Sequence, residues 1–411
     1  MRVLFSVWPM TAHLYPVVPL ASALQGAGHE VCVTSTPDLS GAITAAGLQA
    51  VALGDAGTLP SLSSAGEYML GEPERAALAE ALGIGPADAT SWTMFSLYTL
   101  ASIRMFHSGQ PCPGVDDLVA FAGNWRPDLI VWDMTWPGAA IAARVTGAAH
   151  ARLLWGPDYC AWGRERSAGV DDPLAATVRP AAERLGVEVD DELLLGQWTI
   201  DPTPPQVRLA TGVRSVPMRR VPYTGAAVVP AWLYPRPERP RVALSLGSSG
   251  RLFHNNRELI AALLAMVSDL DVEVVATFDA TQLDGQTVPA NVRTIDYLPL
   301  NLLLPTCSAV IHHGGGGTMA AAVAQRLPQL IIAGEGVESP AYERYLLDRG
   351  AGLVVDHRRH SVDEMAKRLT RVLTEPGFAE GARRLYADWL AMPSPADIVP
   401  LLEKLAAEHR G

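Results

Sequence analysis

The residue types best suited to chemistry in this 411-residue chain are concentrated around position 315. His312 and His313 are followed by four glycines and by Thr318, where an apolar run gives way to an alanine-rich one. A turn alone needs one or two glycines, so four indicate that a ligand approaches the backbone closely. The segment should join the carboxyl end of a strand to a helix N-terminus, where amides and the helix dipole bind anions.

We therefore predict a diphosphate-type anion site here, with a plain strand–helix turn as the alternative. Its predicted ligands are His313, Gly314, Gly315, Gly316, Gly317 and Thr318. The pattern is neither the GxxxxGK[ST] loop nor the GxGxxG fingerprint. The loop after the first predicted strand, residues 6–13, lacks glycine, which disfavours an NAD-dependent enzyme.

A second group suited to proton transfer is His13, in the same loop after the first strand. In doubly wound folds such a loop lies at the carboxyl edge of the sheet, where ligands bind. A histidine there can accept a proton near neutral pH. The residues alone leave open the alternative of an ordinary surface histidine.

The segments that must position these groups alternate between strand-like and helix-like patterns over residues 2–53 and 128–155, with a less regular stretch at 55–125, and the alternation restarts at residue 241. Such βαβ alternation indicates parallel strands with helical crossovers. We predict an α/β protein of two Rossmann-like doubly wound domains facing a cleft. The predicted helices of the second half are 256–268, 316–324, 340–348 and 362–373.

A proline-rich segment without helical periodicity, residues 219–240, is predicted to link the two halves. The predicted N-terminal domain spans residues 1–218 and the C-terminal domain 241–390. Residues 391–411 are predicted to form a terminal helix that packs back on the N-terminal domain.

Composition excludes several classes of protein. The net charge of −11 argues against nonspecific nucleic-acid binding. No window reaches 18 uninterrupted apolar residues, and the first residues lack the cleavage site of a secretory signal. The four cysteines form no CxxC pair, which fits a reducing compartment. We expect a cytoplasmic protein without a membrane span.

Several segments of the chain carry a family resemblance in matching order: "MTAHLYPVVPLASALQGAGHEV", "NWRPDLIVWD", "HARLLWGPD", "GQWTIDPTP", "NVRTIDYLPLNLLLPTC", "HHGGGGT" and "LPQLIIAG". With these, the sequence resembles GT-B glycosyltransferases of the UDP-glycosyltransferase-like superfamily. It is most similar to the actinobacterial enzymes that attach deoxysugars to macrolide and anthracycline antibiotics. The resemblance implies inverting transfer from a TDP-deoxysugar to a polyketide-type aglycone, with the acceptor in the N-terminal domain and the donor in the C-terminal one.

The same resemblance implies roles for individual residues. His13 becomes the general base, oriented by Asp133 at the end of "DLIVWD"; a cap of the helix near residue 138 is the alternative for Asp133. His313, Gly317 and Thr318 would hold the diphosphate. The backbone of Tyr297, Leu298 and Pro299 would hold the pyrimidine base, and the hydroxyls of Ser248 and Ser249 would face the diphosphate. Core packing is the alternative for Tyr297, and a solvated turn is the alternative for the serines.

The chain departs from the family pattern where two sugar-binding residues usually follow "LPQLII". Val337 and Glu338 lie near that place, and we expect Glu338 to contact the sugar or to begin the next helix. No metal or cofactor is implied beyond the TDP-sugar co-substrate. The carboxylates of "DLD", at Asp269 and Asp271, are expected to be solvated.

Aromatic residues are abundant in the N-terminal half, and they suit a large apolar acceptor. The predicted acceptor-binding residues are Trp92, Phe95, Trp136 and Trp155, with core packing as the alternative. The resemblance leaves open a cytochrome-P450-like auxiliary protein, with residues 60–110 as its contact, and a homodimer. A sugar-nucleotide epimerase or a non-catalytic sugar-nucleotide-binding protein of the same fold is the alternative function.

Overall fold

The computed structural model describes residues 1–55, 72–81, 83–85, 95, 98, 113–167, 172–247, 257–333 and 339–410. The chain divides into two compact units. Unit 1 comprises Met1–Arg220 with Met392–Gly411, and unit 2 comprises Val221–Ala391. Within the described ranges, no helix combines the length and apolar character that crossing a membrane requires.

Unit 1 is built around a parallel sheet. Its strands are β1 (Arg2–Ser6), β2 (Glu30–Ser35), β3 (Gln49–Ala52), β4 (Leu129–Asp133), β5 (Ala149–Leu153), β6 (Trp198–Asp201) and β7 (Ser215–Pro217). In the described part of the chain their order is β3-β2-β1-β4-β5-β6-β7, and every pair is parallel. All five residues of β4 are buried, as expected of a strand covered on both faces of a parallel sheet.

Helices cover this sheet. They are α1 (Thr11–Leu14), α2 (Val18–Gly26), α3 (Ser40–Ala45), α4 (Glu72–Ala81), α5 (Pro113–Trp125), α6 (Gly138–Thr146), α7 (Tyr159–Arg166), α8 (Pro173–Arg184) and α9 (Asp191–Leu195). The first six residues of helix α6, Gly138–Ala143, are buried, because its alanines let it pack closely on α5 and on the sheet.

Unit 2 is also built around a parallel sheet. Its strands are β8 (Arg241–Ser245), β9 (Glu273–Ala276), β10 (Val292–Thr294), β11 (Ala309–His312), β12 (Gln329–Ile332) and β13 (Gly352–Val355). Among the described residues the order is β10-β9-β8-β11-β12-β13. The helices are α10 (Arg257–Ser268), α11 (Leu300–Leu303), α12 (Gly316–Ala324), α13 (Ser339–Arg349), α14 (Val362–Thr374) and α15 (Pro376–Leu390). The predicted fold class, two Rossmann-like parallel-sheet domains, is confirmed.

The strand order reverses beside the first strand of each sheet. In unit 1, β1 lies between β2 and β4; in unit 2, β8 lies between β9 and β11. Ligands of such sheets bind beyond the carboxyl ends of the strands at this reversal. The segments that follow β1 and β4, and those that follow β8 and β11, are therefore the places where a site is expected.

The segment 219–240 and the chain's end belong to different units. From Val221 onward the segment is part of unit 2, where Leu233 is buried in one apolar cluster with Leu298. The last helix, α16 (Val399–His409), belongs to unit 1 and packs on β5. Its His409 ring lies 5.5 Å from the Trp198 ring, centroid to centroid.

Candidate active site

A histidine–aspartate pair lies at the reversal point of unit 1. His13 is in α1, directly after β1, and Asp133 is the last residue of β4. Because β1 and β4 are neighbours with Ser6 opposite Trp132, both residues emerge at the same edge of the sheet. Nδ1 of His13 lies 2.7 Å from Oδ2 of Asp133. The His13 side chain is 14% exposed and that of Asp133 is 2% exposed.

This geometry selects one histidine tautomer. An ionised carboxylate only accepts hydrogen bonds, so Nδ1 of His13 donates to Asp133 and Nε2 is left as the acceptor. A neutral imidazole with an accepting Nε2 is the form needed by a general base. The carboxylate would also stabilise the imidazolium that forms after proton transfer.

The carboxylate of Asp133 is itself held by Thr135. Its Oδ1 accepts hydrogen bonds from the Thr135 amide at 2.8 Å and from the Thr135 hydroxyl at 2.6 Å. The alternative role of Asp133 as a helix cap is wrong: the cap residue of α6 is Pro137, with no side-chain cap hydrogen bond. The Asp133 carboxylate therefore accepts three hydrogen bonds, one of them from the imidazole of His13.

Aromatic residues surround the pair. The Trp155 ring meets the His13 ring edge to face, with centroids 5.1 Å apart and planes at 64°. Trp136 meets Trp8 in a similar way at 5.9 Å. Both Trp136 and Trp155 are partly buried against the apolar core of unit 1. Phe95 has no exposed surface and lies within that core, a packing that disfavours its predicted contact with an acceptor.

At the reversal point of unit 2, the buried His312 organises the glycine segment. The Gly314 amide donates to Nδ1 of His312 at 3.1 Å, and Nε2 of His312 lies 2.9 Å from Oε1 of Gln329. Since Nδ1 accepts, Nε2 must carry the proton and donate to Gln329. Burial, with a smaller contribution from His313, lowers the pKa of His312 to about 3. His312 is therefore neutral near pH 7 and fixes the first amide of the segment.

The glycine segment leads into α12 as predicted from the sequence. Gly315 is the cap residue, and Met319 donates the first intrahelical bond to the Gly315 carbonyl at 3.0 Å. The amides of residues 316–318 precede that bond and form the positive end of the helix. Thr318 lies in the first turn and is 7% exposed. An anion-binding role for this end remains a prediction.

The segment predicted to hold a base has one exposed and two buried side chains. Tyr297 is 48% exposed, and its hydroxyl donates to the Thr224 carbonyl at 2.5 Å. Core packing, the alternative for Tyr297, is wrong. Leu298 and Pro299 are buried, so their side chains support the segment and their backbone is the part suited to a ligand.

Comparisons with known proteins identify one family over both halves of the chain. The N-terminal domain model described as erythromycin biosynthesis protein CIII-like matches residues 22–247, and the corresponding C-terminal domain model matches residues 261–405. The chain is 42% identical to aclacinomycin-T 2-deoxy-L-fucose transferase of Streptomyces galilaeus, over 100% of this chain and 97% of that protein. The chain belongs to the erythromycin biosynthesis protein CIII-like family of glycosyltransferases.

Solved structures resemble this CIII-like glycosyltransferase over its whole length. Spinosyn forosaminyltransferase SpnP superposes with a TM-score of 0.82 at 36% identity, covering 99% of both chains. Glycosyltransferase VinC, solved in complex with dTDP, superposes with a TM-score of 0.81 at 34% identity, covering 99% of this chain and 100% of that one. The predicted resemblance to GT-B deoxysugar transferases is confirmed. The alternative of an epimerase or a non-catalytic binding protein has no support from these relatives.

Some predicted site residues of the CIII-like glycosyltransferase lie outside the described residues: Ser248, Ser249, Trp92 and Glu338, as does Val337 beside the last of them. Residues 60–110, predicted to contact an auxiliary protein, also lie mostly outside them. Asp271 of the "DLD" sequence is 87% exposed and 3.5 Å from Arg239, which agrees with the expected solvated carboxylate.

Two positioning groups were missed by sequence reasoning. Nothing in the sequence indicated a role for Thr135 beyond its place two residues after a strand end. Gln329 did carry a signal, since a polar residue inside the apolar run "LPQLII" is buried at 0% exposure and must find a partner. That partner is His312.

Proposed function

We propose that this glycosyltransferase moves a deoxysugar from a TDP-sugar to a polyketide-type aglycone in antibiotic biosynthesis, with inversion at the anomeric carbon. The substrate class is supported by full-length similarity to the aclacinomycin-T 2-deoxy-L-fucose transferase and by the likeness to a transferase solved with dTDP. The base role is carried by one observation, the 2.7 Å hydrogen bond between His13 and Asp133.

In the proposed reaction, Nε2 of His13 takes the proton of the acceptor hydroxyl while its oxygen attacks the anomeric carbon. The carbon–oxygen bond to the nucleotide diphosphate breaks in the same step, and TDP leaves with the electron pair. Asp133 stabilises the imidazolium during the attack. Inversion follows because the displacement occurs once.

The leaving diphosphate needs positive charge. We assign this role to the first-turn amides of α12, residues 316–318, together with Gly314, Gly315, His313 and the Thr318 hydroxyl. Donors aimed at developing charge lower the barrier without a metal ion, so we propose metal-independent transfer. Ser248 and Ser249 are assigned to the diphosphate, the backbone of residues 297–299 to the thymine base, and Glu338 to the sugar.

Trp136 and Trp155 are assigned to the acceptor. Both are partly buried, the Trp155 ring meets the His13 ring edge to face, and Trp136 follows Asp133 by three positions in the chain. A requirement for a P450-like auxiliary protein, a homodimeric state and a cytoplasmic location remain predictions.

The test is to incubate the purified protein and EDTA with a panel of TDP-deoxysugars and with macrolactone or anthracyclinone aglycones. We expect a glycosylated product by mass spectrometry and inverted anomeric configuration by NMR. Retained configuration would overturn the single displacement. A TDP-sugar that is epimerised or only bound, with no aglycone modified even after an auxiliary protein is added, would favour the alternative function. Activity that is lost in EDTA and restored by Mg²⁺ or Mn²⁺ would overturn metal independence.

A further inference from the structure

The imidazole of His313 packs directly against the backbone of two glycines. A Cβ atom added at Gly247 would lie 2.4 Å from Cε1 and 2.8 Å from Nε2 of that ring. A Cβ atom added at Gly315 would lie 2.4 Å from the same Nε2. Real Cβ contacts are not found at such distances, so both positions have room only for hydrogen.

The two glycines come from different turns of unit 2. Gly247 follows β8, and Gly315 lies between β11 and α12. These strands are neighbours, with Ser245 opposite His312, and the ring of His313 fills the space where the two turns meet. One end of a single side chain is therefore held by both turns.

The backbone explains only one of these glycines. Gly247 has φ +74°, in the left-handed region that favours glycine. Gly315 has φ −71° and ψ 141°, an extended conformation that any residue adopts. At Gly315 it is therefore the His313 ring, and not the backbone conformation, that leaves no space for a larger side chain.

We propose that Gly247 and Gly315 are positioning residues that hold the His313 imidazole in the orientation used to bind the donor diphosphate. This rests on the proposed function, in which His313 contacts the diphosphate. The new element is that the affinity for the donor depends on Gly247 and Gly315, which act through the His313 ring. Substitution by alanine at position 247 would push the ring aside while leaving its chemistry unchanged.

A double-mutant cycle tests this, with TDP alone as the ligand and calorimetric Kd as the readout. The cycle consists of the Gly247→Ala and His313→Ala proteins and the protein with both changes. A hydrogen bond to a charged group contributes about 1.5–3 kcal/mol. We therefore expect His313→Ala to raise the Kd by about 10- to 100-fold and Gly247→Ala to raise it comparably. Once the ring is gone, Gly247→Ala should add no further loss, because the partner of its Cβ is absent.

The chain offers a matched control at Gly285. Its φ is +71°, close to that of Gly247, but an added Cβ would lie 3.5 Å from Arg257, an ordinary contact. Gly285→Ala therefore imposes the same backbone strain without displacing the ring, and we expect unchanged TDP affinity. A Gly247→Ala protein with impaired donor binding should also keep its KM for the acceptor.

If Gly247→Ala prevents folding, Gly315→Ala takes its place in the cycle, because it carries no penalty from a positive φ. If the glycine substitution lowers TDP affinity equally with the His313 ring present and after His313→Ala, the positioning role is overturned but the donor site stands. Unchanged TDP affinity in folded Gly247→Ala would overturn it as well. Unchanged affinity in His313→Ala would overturn the assignment of His313 to the donor, and this inference with it.

Discussion

Nδ1 of His13 lies 2.7 Å from Oδ2 of Asp133, although 120 positions separate the two residues in the chain. Adjacent parallel strands bring them together, because β1 and β4 end at the same edge of the sheet. The buried carboxylate accepts from the imidazole and from Thr135, so the pair is held before any substrate arrives.

Replacing His13 should remove catalysis without removing donor binding. General-base catalysis contributes about 10²- to 10⁴-fold, and we expect His13→Ala to lower single-turnover rates by about that factor with the Kd for TDP unchanged. His29 is the matched control, since it precedes β2 at the opposite, amino-terminal edge of the sheet. His29→Ala should keep the wild-type rate. A His13→Ala enzyme with wild-type turnover would exclude it as the base.

Asp133→Asn should leave the shape of the site intact but favour the wrong tautomer. An amide nitrogen facing Nδ1 of His13 would donate a hydrogen bond to it, so the ring proton would reside on Nε2. Nε2 could then no longer take the proton of the acceptor hydroxyl. By analogy with hydrolase triads we expect kcat to fall by up to about 10⁴-fold, again with little change in TDP affinity. Steady-state kinetics with saturating donor measure this. A loss confined to KM would argue for a binding role instead.

Thr135→Val should cause a smaller loss through the positioning of Asp133. The change removes the 2.6 Å hydroxyl bond and keeps the 2.8 Å amide bond. One hydrogen bond to a carboxylate contributes about 1.5–3 kcal/mol, and we expect kcat to fall by about tenfold with a shifted pH–rate profile. Thr135→Ser should restore both. Thr135 has no positioning role if the valine variant keeps the wild-type pH profile.

Stability should fall as the pH drops below about 6.5. Burial lowers the pKa of His312 in unit 2 and of His150 in unit 1 to about 3, from an ordinary value of 6.5. Between those values the unfolded chain binds protons that the folded chain does not, so acid favours unfolding. Each histidine should reduce the free energy of unfolding by about 1–2 kcal/mol between pH 6.5 and 5.

Urea unfolding at the two pH values measures this effect, with His312→Asn as the comparison. Asparagine still offers an oxygen to the Gly314 amide but does not titrate, so the pH dependence of this variant should be shallower. Equal pH dependence in the wild type and the variant would contradict the assignment of His312 as a buried neutral group.

The sequence by itself determined the fold class and several of the elements. The helix predicted at 316–324 is found at Gly316–Ala324, and the one at 256–268 is found at Arg257–Ser268. These follow from local apolar periodicity and from glycine at the strand–helix junction, which neighbouring residues alone encode. The alternation of strands and helices likewise sufficed for two parallel sheets.

Tertiary structure alone decided which side chains meet. Periodicity did not distinguish Phe95, fully buried in the core, from Trp155 beside His13, because both patterns look apolar along the chain. Nor did spacing disclose that His312 would pair with Gln329, or that Gly247 would adjoin His313, since these contacts join separate strands and their turns. Strand order and register create such contacts, and they depend on how the whole sheet packs.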